Sequence, residues 1–254
     1  IDIITLINEW EVDSRIIFAK MKKYYSITPI LSEKSIDFYL RLKKTKLCLS
    51  VDVDRLEELE RIVASTHNYV SLYKIHIDTF IDFEPIRSIN RLQKLKYQYK
   101  VILWEDRKFS DVGTIVSRQL HSGIYQISAW ADLISIHASA GSDAFVLANS
   151  VKIVAVADMN RRNSYNSESY LNHLVEMSES FTNIFGIITH EDIEINKNIK
   201  KIVPYCDNFN CEENSNSFYT SRSDMRWADF FIVGKKITSY LDKQPISKLC
   251  IPFV

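Results

Sequence analysis

Short runs rich in valine and isoleucine recur along this chain at intervals that leave room for an amphipathic helix between most of them. The runs cover 47–53, 69–77, 100–105, 132–137, 152–158, 184–189, 201–205 and 229–234. Between them, Asp54–Ala64, Ile86–Lys96, Val112–Ser122 and Glu168–Ser180 carry apolar side chains at the three- and four-residue spacing of a one-sided helix. Strands and helices in alternation imply parallel strands joined by helical crossovers. Eight such strands predict an α/β fold, a (β/α)8 TIM barrel with extra N-terminal helices. Those helices are predicted over 4–23 and over a second stretch ending in Arg41-Leu-Lys-Lys-Thr-Lys46. Residues 1–46 are therefore expected as a helical segment packed on a single barrel domain of 47–254. Residues 190–228 are rich in Asn, Ser and charge and have little periodicity, so the later strands are the least defined.

Length and composition agree with that architecture. A chain of 254 residues suits one barrel, for which roughly 250 is typical. With 46% hydrophobic and 25% charged residues, it falls among globular proteins and outside the disordered and fibrous classes. Its 32 basic residues balance 32 acidic ones, so no global positive field exists to draw in nucleic acid or an anionic membrane. The basic run at 41–46 is the charge that a helix carboxyl end favours. No apolar run approaches the roughly 18 residues needed to cross a bilayer, and the amino end carries acidic residues where a secretory signal would be basic and then apolar. A cytoplasmic location is expected, with neither nucleic acid nor membrane as a partner. The cysteines at 48, 206, 211 and 250 match no strong zinc pattern and are expected to be free thiols.

Chemistry concentrates after the third strand. Val101-Ile-Leu-Trp104 reads as a buried strand, and the two-residue side-chain period then puts Asp106 and Lys108 on one face, with Asp111 just past the end. In a parallel barrel, the carboxyl end of a strand is where catalytic groups are mounted. A single charged residue there is ordinarily solvated, and a histidine such as His76 or His137 is ordinarily a hydrogen-bonded core residue. Several charges together at such a place need mutual compensation, because burying them unpaired is expensive.

The surrounding residues add a family resemblance. Leu47-Cys-Leu-Ser-Val-Asp-Val53, Tyr73-Lys-Ile-His-Ile-Asp78, Trp104-Glu-Asp-Arg-Lys-Phe-Ser-Asp-Val-Gly113 and Ser128-Ala-Trp-Ala-Asp132 come in an order and spacing similar to those of orotidine 5'-monophosphate decarboxylases. The similarity is to the eukaryotic type, as in the C-terminal half of UMP synthase. It is strong from about residue 40 to about residue 141 and weak afterwards. The resemblance implies conversion of orotidine 5'-monophosphate to UMP and carbon dioxide in de novo pyrimidine biosynthesis, with no metal and no cofactor. It also implies a homodimer. The implied catalytic array is Lys74, Asp106, Lys108 and Asp111. Lys108 would protonate the carbanion, Asp106 would lie near the departing carboxylate, and Asp111 would reach across from the neighbouring subunit. Asp52 matches a ribose-hydroxyl ligand, Ser50 and His76 match other substrate-binding positions, and Tyr219 and Lys235 match parts of the phosphate grip.

That grip departs from the family pattern. An arginine and a glycine at the end of strand eight are replaced in Ile232-Val-Gly-Lys-Lys-Ile237 by Lys235 and Lys236, which loses the bidentate guanidinium and a close backbone approach. Ser217-Phe-Tyr219 keeps only the tyrosine of a Gln-x-Tyr pattern, and Val203-Pro-Tyr205 lacks its glycine. Thr114-Ile115 follows where Asn-Thr is usual, and Arg161 stands at or near the position of a small serine against the pyrimidine. Two readings follow: a divergent decarboxylase that holds phosphate with Lys235, Tyr219 and Lys236 or Arg222, or an impaired or inactive homologue that keeps the dimeric barrel for a structural or binding role. A third, a related metal-dependent barrel acting on another phosphorylated sugar, is opposed by Glu105, Arg107 and Phe109, which match the decarboxylases.

Overall fold

Each of the eight valine- and isoleucine-rich runs coincides, in whole or in part, with a strand. The computed structural model describes residues 33–159, 167–204 and 225–234. The strands are β1 Leu47–Ser50, β2 Leu72–Ile75, β3 Ile102–Phe109, β4 Leu133–His137, β5 Lys152–Val156, β6 Ile184–Ile188, β7 Lys200–Pro204 and β8 Phe230–Val233. They pair in sequence order, all parallel, and β8 returns to β1 to close the barrel. The barrel lies in the unit Leu31–Val254; the helix predicted over 4–23 lies outside the described residues.

The helices follow from the amphipathic stretches. They are α1 Glu33–Lys43, α2 Leu56–Thr66, α3 Pro85–Tyr99, α4 Gly113–His121, α5 Ser142–Leu147 and α6 Glu168–Ser180. In α2 the buried side chains are Leu56, Leu59, Ile62, Val63 and Thr66, and Glu57 and Glu58 occupy the first turn, where the helix dipole favours acid. Pro85 opens α3, a position that needs no backbone N–H, and Ser167 caps α6 by accepting the N–H of Tyr170. Two features differ from the prediction. The six-residue α5 was not predicted, being too short to display a helical period. The connection from β6 to β7 contains no helix, so the expected helical crossover fails there, where the polar sequence offers no apolar face to bury.

The barrel interior is filled by Cys48, Leu72, Ile102, Trp104, Leu133, Val154, Val156, Phe185, Ile188, Ile202 and Phe230, and Ile36 and Tyr39 of α1 join the same cluster. Several of these begin their strands, so α1 plugs the amino-terminal end of the barrel. Lys43 fastens it there by donating to the carbonyls of His67 (2.6 Å) and Tyr99 (3.0 Å). The Ser128–Asp132 segment has a structural task. Lys96 Nζ lies 2.6 Å from Asp132 Oδ1 and donates to the Trp130 carbonyl, while Asp132 Oδ2 accepts the N–H of Leu103, all of it buried. Gly113 packs α4 closely on α5: a Cβ there would lie 2.7 Å from the backbone carbon of Asp143. Among the described residues, no helix is long and apolar enough to cross a membrane.

Candidate active site

Four adjacent strands repeat one pattern. Two residues beyond an apolar interior side chain comes a polar one, and two further on an ionisable one. The series are Cys48, Ser50, Asp52; Leu72, Lys74, His76; Trp104, Asp106, Lys108; and Leu133, Ser135, His137. Alternation along a strand sends each series up the same wall, so a charged layer sits above the apolar core at the carboxyl end of the barrel. Asp52, Val53, Asp54, Glu58, Lys74, His76 and Thr79 line a pocket of about 550 Å³ there, within the range of small-molecule sites.

Asp106 is the centre of this layer and is only 2% exposed. Its Oδ2 accepts from Lys74 Nζ at 2.7 Å and from Lys108 Nζ at 2.5 Å, and its Oδ1 accepts from Ser135 Oγ at 2.6 Å. Trp104 Nε1 donates to the same Ser135 hydroxyl at 2.9 Å, which fixes its orientation. Burial pushes the Asp106 carboxyl up, but the two ammonium groups outweigh it and hold it at about 2. Burial likewise opposes the charge on Lys74, and attraction to Asp106 overcomes it, raising the lysine above its ordinary value. The site thus keeps a carboxylate and an ammonium ionised in a low-dielectric setting.

Lys108 reaches this cluster through an irregular backbone. Its φ is +55°, in the left-handed region, and the β3–β4 register shifts between Glu105 and Phe109. A non-glycine residue there costs roughly 1–3 kcal/mol, and such strain gathers at functional sites. Strand β3 runs four residues past its predicted end at 105, with Lys108 near its carboxyl tip.

His76 Nε2 lies 3.4 Å from Lys74 Nζ and 3.7 Å from Asp106 Oδ2. Burial, and then the positive charge of Lys74, lower its pKa. His137 is lowered for the same kind of reason, by burial and by Lys108. Ser50 donates to Asp52 Oδ1 at 3.1 Å, and a Cβ on Gly234 would lie 3.5 Å from Ser50 Cβ. The end of β8 therefore flanks this part of the pocket. On the other face of β3, Glu105 is fully buried; its Oε2 accepts the N–H of Ile77 at 2.9 Å, and burial pushes the carboxyl up to about 8.

The structure brings Lys74, Asp106, Lys108 and His76 together, with Ser50 and Asp52 at the same mouth. Asp111 is exposed and accepts the N–H of Val112 at 2.7 Å; among the described residues, no hydrogen bond or ion pair links it to the cluster. Tyr219, Lys235, Arg161, Ser217, Arg222 and Lys236 lie outside the described residues, as do Cys206, Cys211 and Cys250; Cys48 is a free, buried thiol. Sequence reasoning missed Ser135 and Trp104. The two-residue step from Leu133 to Ser135 was the available signal.

A sequence model of the orotidine 5'-phosphate decarboxylase / HUMPS family matches residues 45–247. The chain belongs to this family. A uridine 5'-monophosphate synthase of Bos taurus is 27% identical over 220 residues, 83% of this chain and 46% of the relative. An orotidine 5'-phosphate decarboxylase of Torulaspora delbrueckii is 34% identical over 161 residues, 63% of this chain and 58% of the relative. The chain thus spans about half the length of these curated relatives. Among solved structures, the orotidine 5'-phosphate decarboxylase of Pyrococcus horikoshii shares the fold with a TM-score of 0.60 at 17% identity, covering 80% of this chain and 98% of that one. Family membership and the closed eight-stranded barrel accord with the resemblance drawn from the sequence.

Proposed function

We propose that this chain is an orotidine 5'-monophosphate decarboxylase that works without metal or cofactor in pyrimidine biosynthesis. The observation that carries the reading is the buried Asp106 carboxylate held between the Lys74 and Lys108 ammonium groups, beside the pocket that Lys74 lines. In this reading the bond from C6 of the pyrimidine to its carboxylate breaks, its electron pair stays on C6, and carbon dioxide leaves. Lys108 then gives a proton to C6 and is reprotonated from solvent. Preorganised charge in a water-poor site is the effective means of lowering such a barrier, since it needs no reorganisation during the step. Asp106, ionised at neutral pH, holds both lysines in place. Ser50, Asp52 and His76 bind the nucleoside part, and Tyr219 and Lys235 take the phosphate.

A cytoplasmic homodimer belongs to the same proposal. The exposure of Asp111, beside an exposed Val112, supports its reaching into the site of a second copy. The second reading, an impaired homologue that keeps the dimeric barrel as a scaffold, draws on Lys235 and Lys236, which stand where arginine and glycine grip phosphate in the family. Weakened remote binding costs rate as well as affinity.

Incubating the purified chain with orotidine 5'-monophosphate, without added metal, and following the loss of orotate absorbance beside Lys108→Ala separates the two. Turnover that falls by several orders of magnitude in a folded variant supports the decarboxylase. Equal rates in variant and parent overturn the mechanism, and a folded parent without turnover favours the scaffold.

A further inference from the structure

We propose that His76, Asp78 and Glu105 form a divalent-cation site, suited to zinc, beside the charged array. One ring nitrogen of His76 and one carboxylate oxygen from each of Asp78 and Glu105 lie within 4.8 Å of one another. His76 follows the last residue of β2, Asp78 sits in the 3-10 turn Ile77–Thr79, and Glu105 lies within β3. Two of the three donors are thus held at strands of the barrel. An imidazole with two carboxylates is a nitrogen and oxygen donor set of the kind zinc takes in three-ligand sites, leaving a fourth position for water.

Glu105 supplies the second, independent observation. Its side chain is fully buried, Oε2 is held by the N–H of Ile77, and Oε1 has no hydrogen-bond partner. Buried polar atoms without partners are uncommon and call for an explanation. A cation among the three residues would bind a carboxylate oxygen of this otherwise underbonded side chain and displace the proton that burial favours on it. Zinc bonds of about 2.0–2.1 Å place tetrahedral donors roughly 3.3 Å apart, so the triad must close somewhat. Glu105 is fixed, and Asp78, which is exposed, is free to make that movement.

Arg107 opposes the site. Its Nη1 lies 3.5 Å from Asp78 Oδ2, a long and solvent-accessible ion pair of the kind worth little. A cation can displace it. His76 also faces Lys74 and Asp106, so a metal on its ring would disturb the array. Resting on the decarboxylase reading, this makes the site inhibitory.

The test is isothermal calorimetry of zinc chloride into the tag-free, metal-free chain, with Asp78→Asn, Glu105→Gln and Arg107→Gln alongside and circular dichroism to check folding. A single zinc ion should bind, about tenfold or more weakly in Asp78→Asn and Glu105→Gln and more tightly in Arg107→Gln. Asp78 is exposed, so its variant keeps the test decisive if Glu105→Gln fails to fold. Absence of binding to the parent, or equal affinity in Asp78→Asn, would overturn the site. Calorimetry needs no turnover, so a failed zinc site and a failed decarboxylase reading remain distinguishable. If the chain turns over, zinc should inhibit the parent at concentrations that spare Asp78→Asn, and equal inhibition of both would overturn the coupling to the array.

Discussion

Asp106→Asn keeps the shape of the side chain and removes the one anion that holds two ammonium groups. The amide oxygen can still accept from Ser135, so the loss is electrostatic. The fall of the carboxyl from its ordinary 3.8 to about 2 corresponds to about 2–3 kcal/mol of folded-state stabilisation. Removing one partner of a buried pair costs about 3–5 kcal/mol. Lys108 is partly exposed and can turn toward water, whereas Lys74 cannot, so about 3 kcal/mol at neutral pH is expected from these terms. The sign follows from the direction of the shift. A depressed carboxyl contributes fully above its unfolded value near 4 and loses its contribution as pH falls toward about 2. The gap between parent and variant should therefore be flat from pH 7 to pH 5 and narrow below that. Urea unfolding followed by tryptophan fluorescence across this range measures it. A gap below about 1 kcal/mol at pH 7, the size of a surface pair, or one that ignores pH, would refute a charge-compensated cluster.

Glu105 should show the opposite pH dependence, because its carboxyl is raised from 4.5 to about 8. The parent should lose stability between those values, by about 5 kcal/mol at most. Glu105→Gln keeps an acceptor for Ile77 and should lose none, so a gap in urea midpoints that fails to widen across this range would count against the buried acid. Gly113→Ala forces α4 away from Asp143 and should cost about 1–3 kcal/mol; an unchanged thermal midpoint would mean that the helices part freely. Lys96→Met leaves Asp132 buried without its cation and should cost about 3–5 kcal/mol, part of which Lys96→Met combined with Asp132→Asn should recover in the same unfolding measurement.

Eight strands and the helices α2, α3, α4 and α6 were evident in the sequence because their residues face the core at regular intervals, and burial enforces that regularity locally. The same two-residue period placed Asp106 and Lys108 on one wall, and family similarity set Lys74 beside them. The connection from β6 to β7 lacks a helix because Asn, Ser and charge there offer no apolar stripe, and α5 escaped notice because six residues are too few to show a period.

Other features belong to the tertiary structure. No local signal marks a positive φ at Lys108, which falls where the pairing of β3 with β4 shifts register. Ser135 is one polar residue in an apolar strand, and it gains meaning only when β4 lies beside β3 and brings its hydroxyl between Trp104 and Asp106. Glu105 and Asp106 are neighbours in sequence, yet burial pushes one carboxyl up to about 8, while two lysines hold the other near 2. Adjacent residues on a strand face opposite sides of the sheet, and only the closed barrel decides which side contains the cations. The sequence by itself determined the order of strands and the kinds of charged group; barrel closure decided their partners, because electrostatic energies depend on distance and burial.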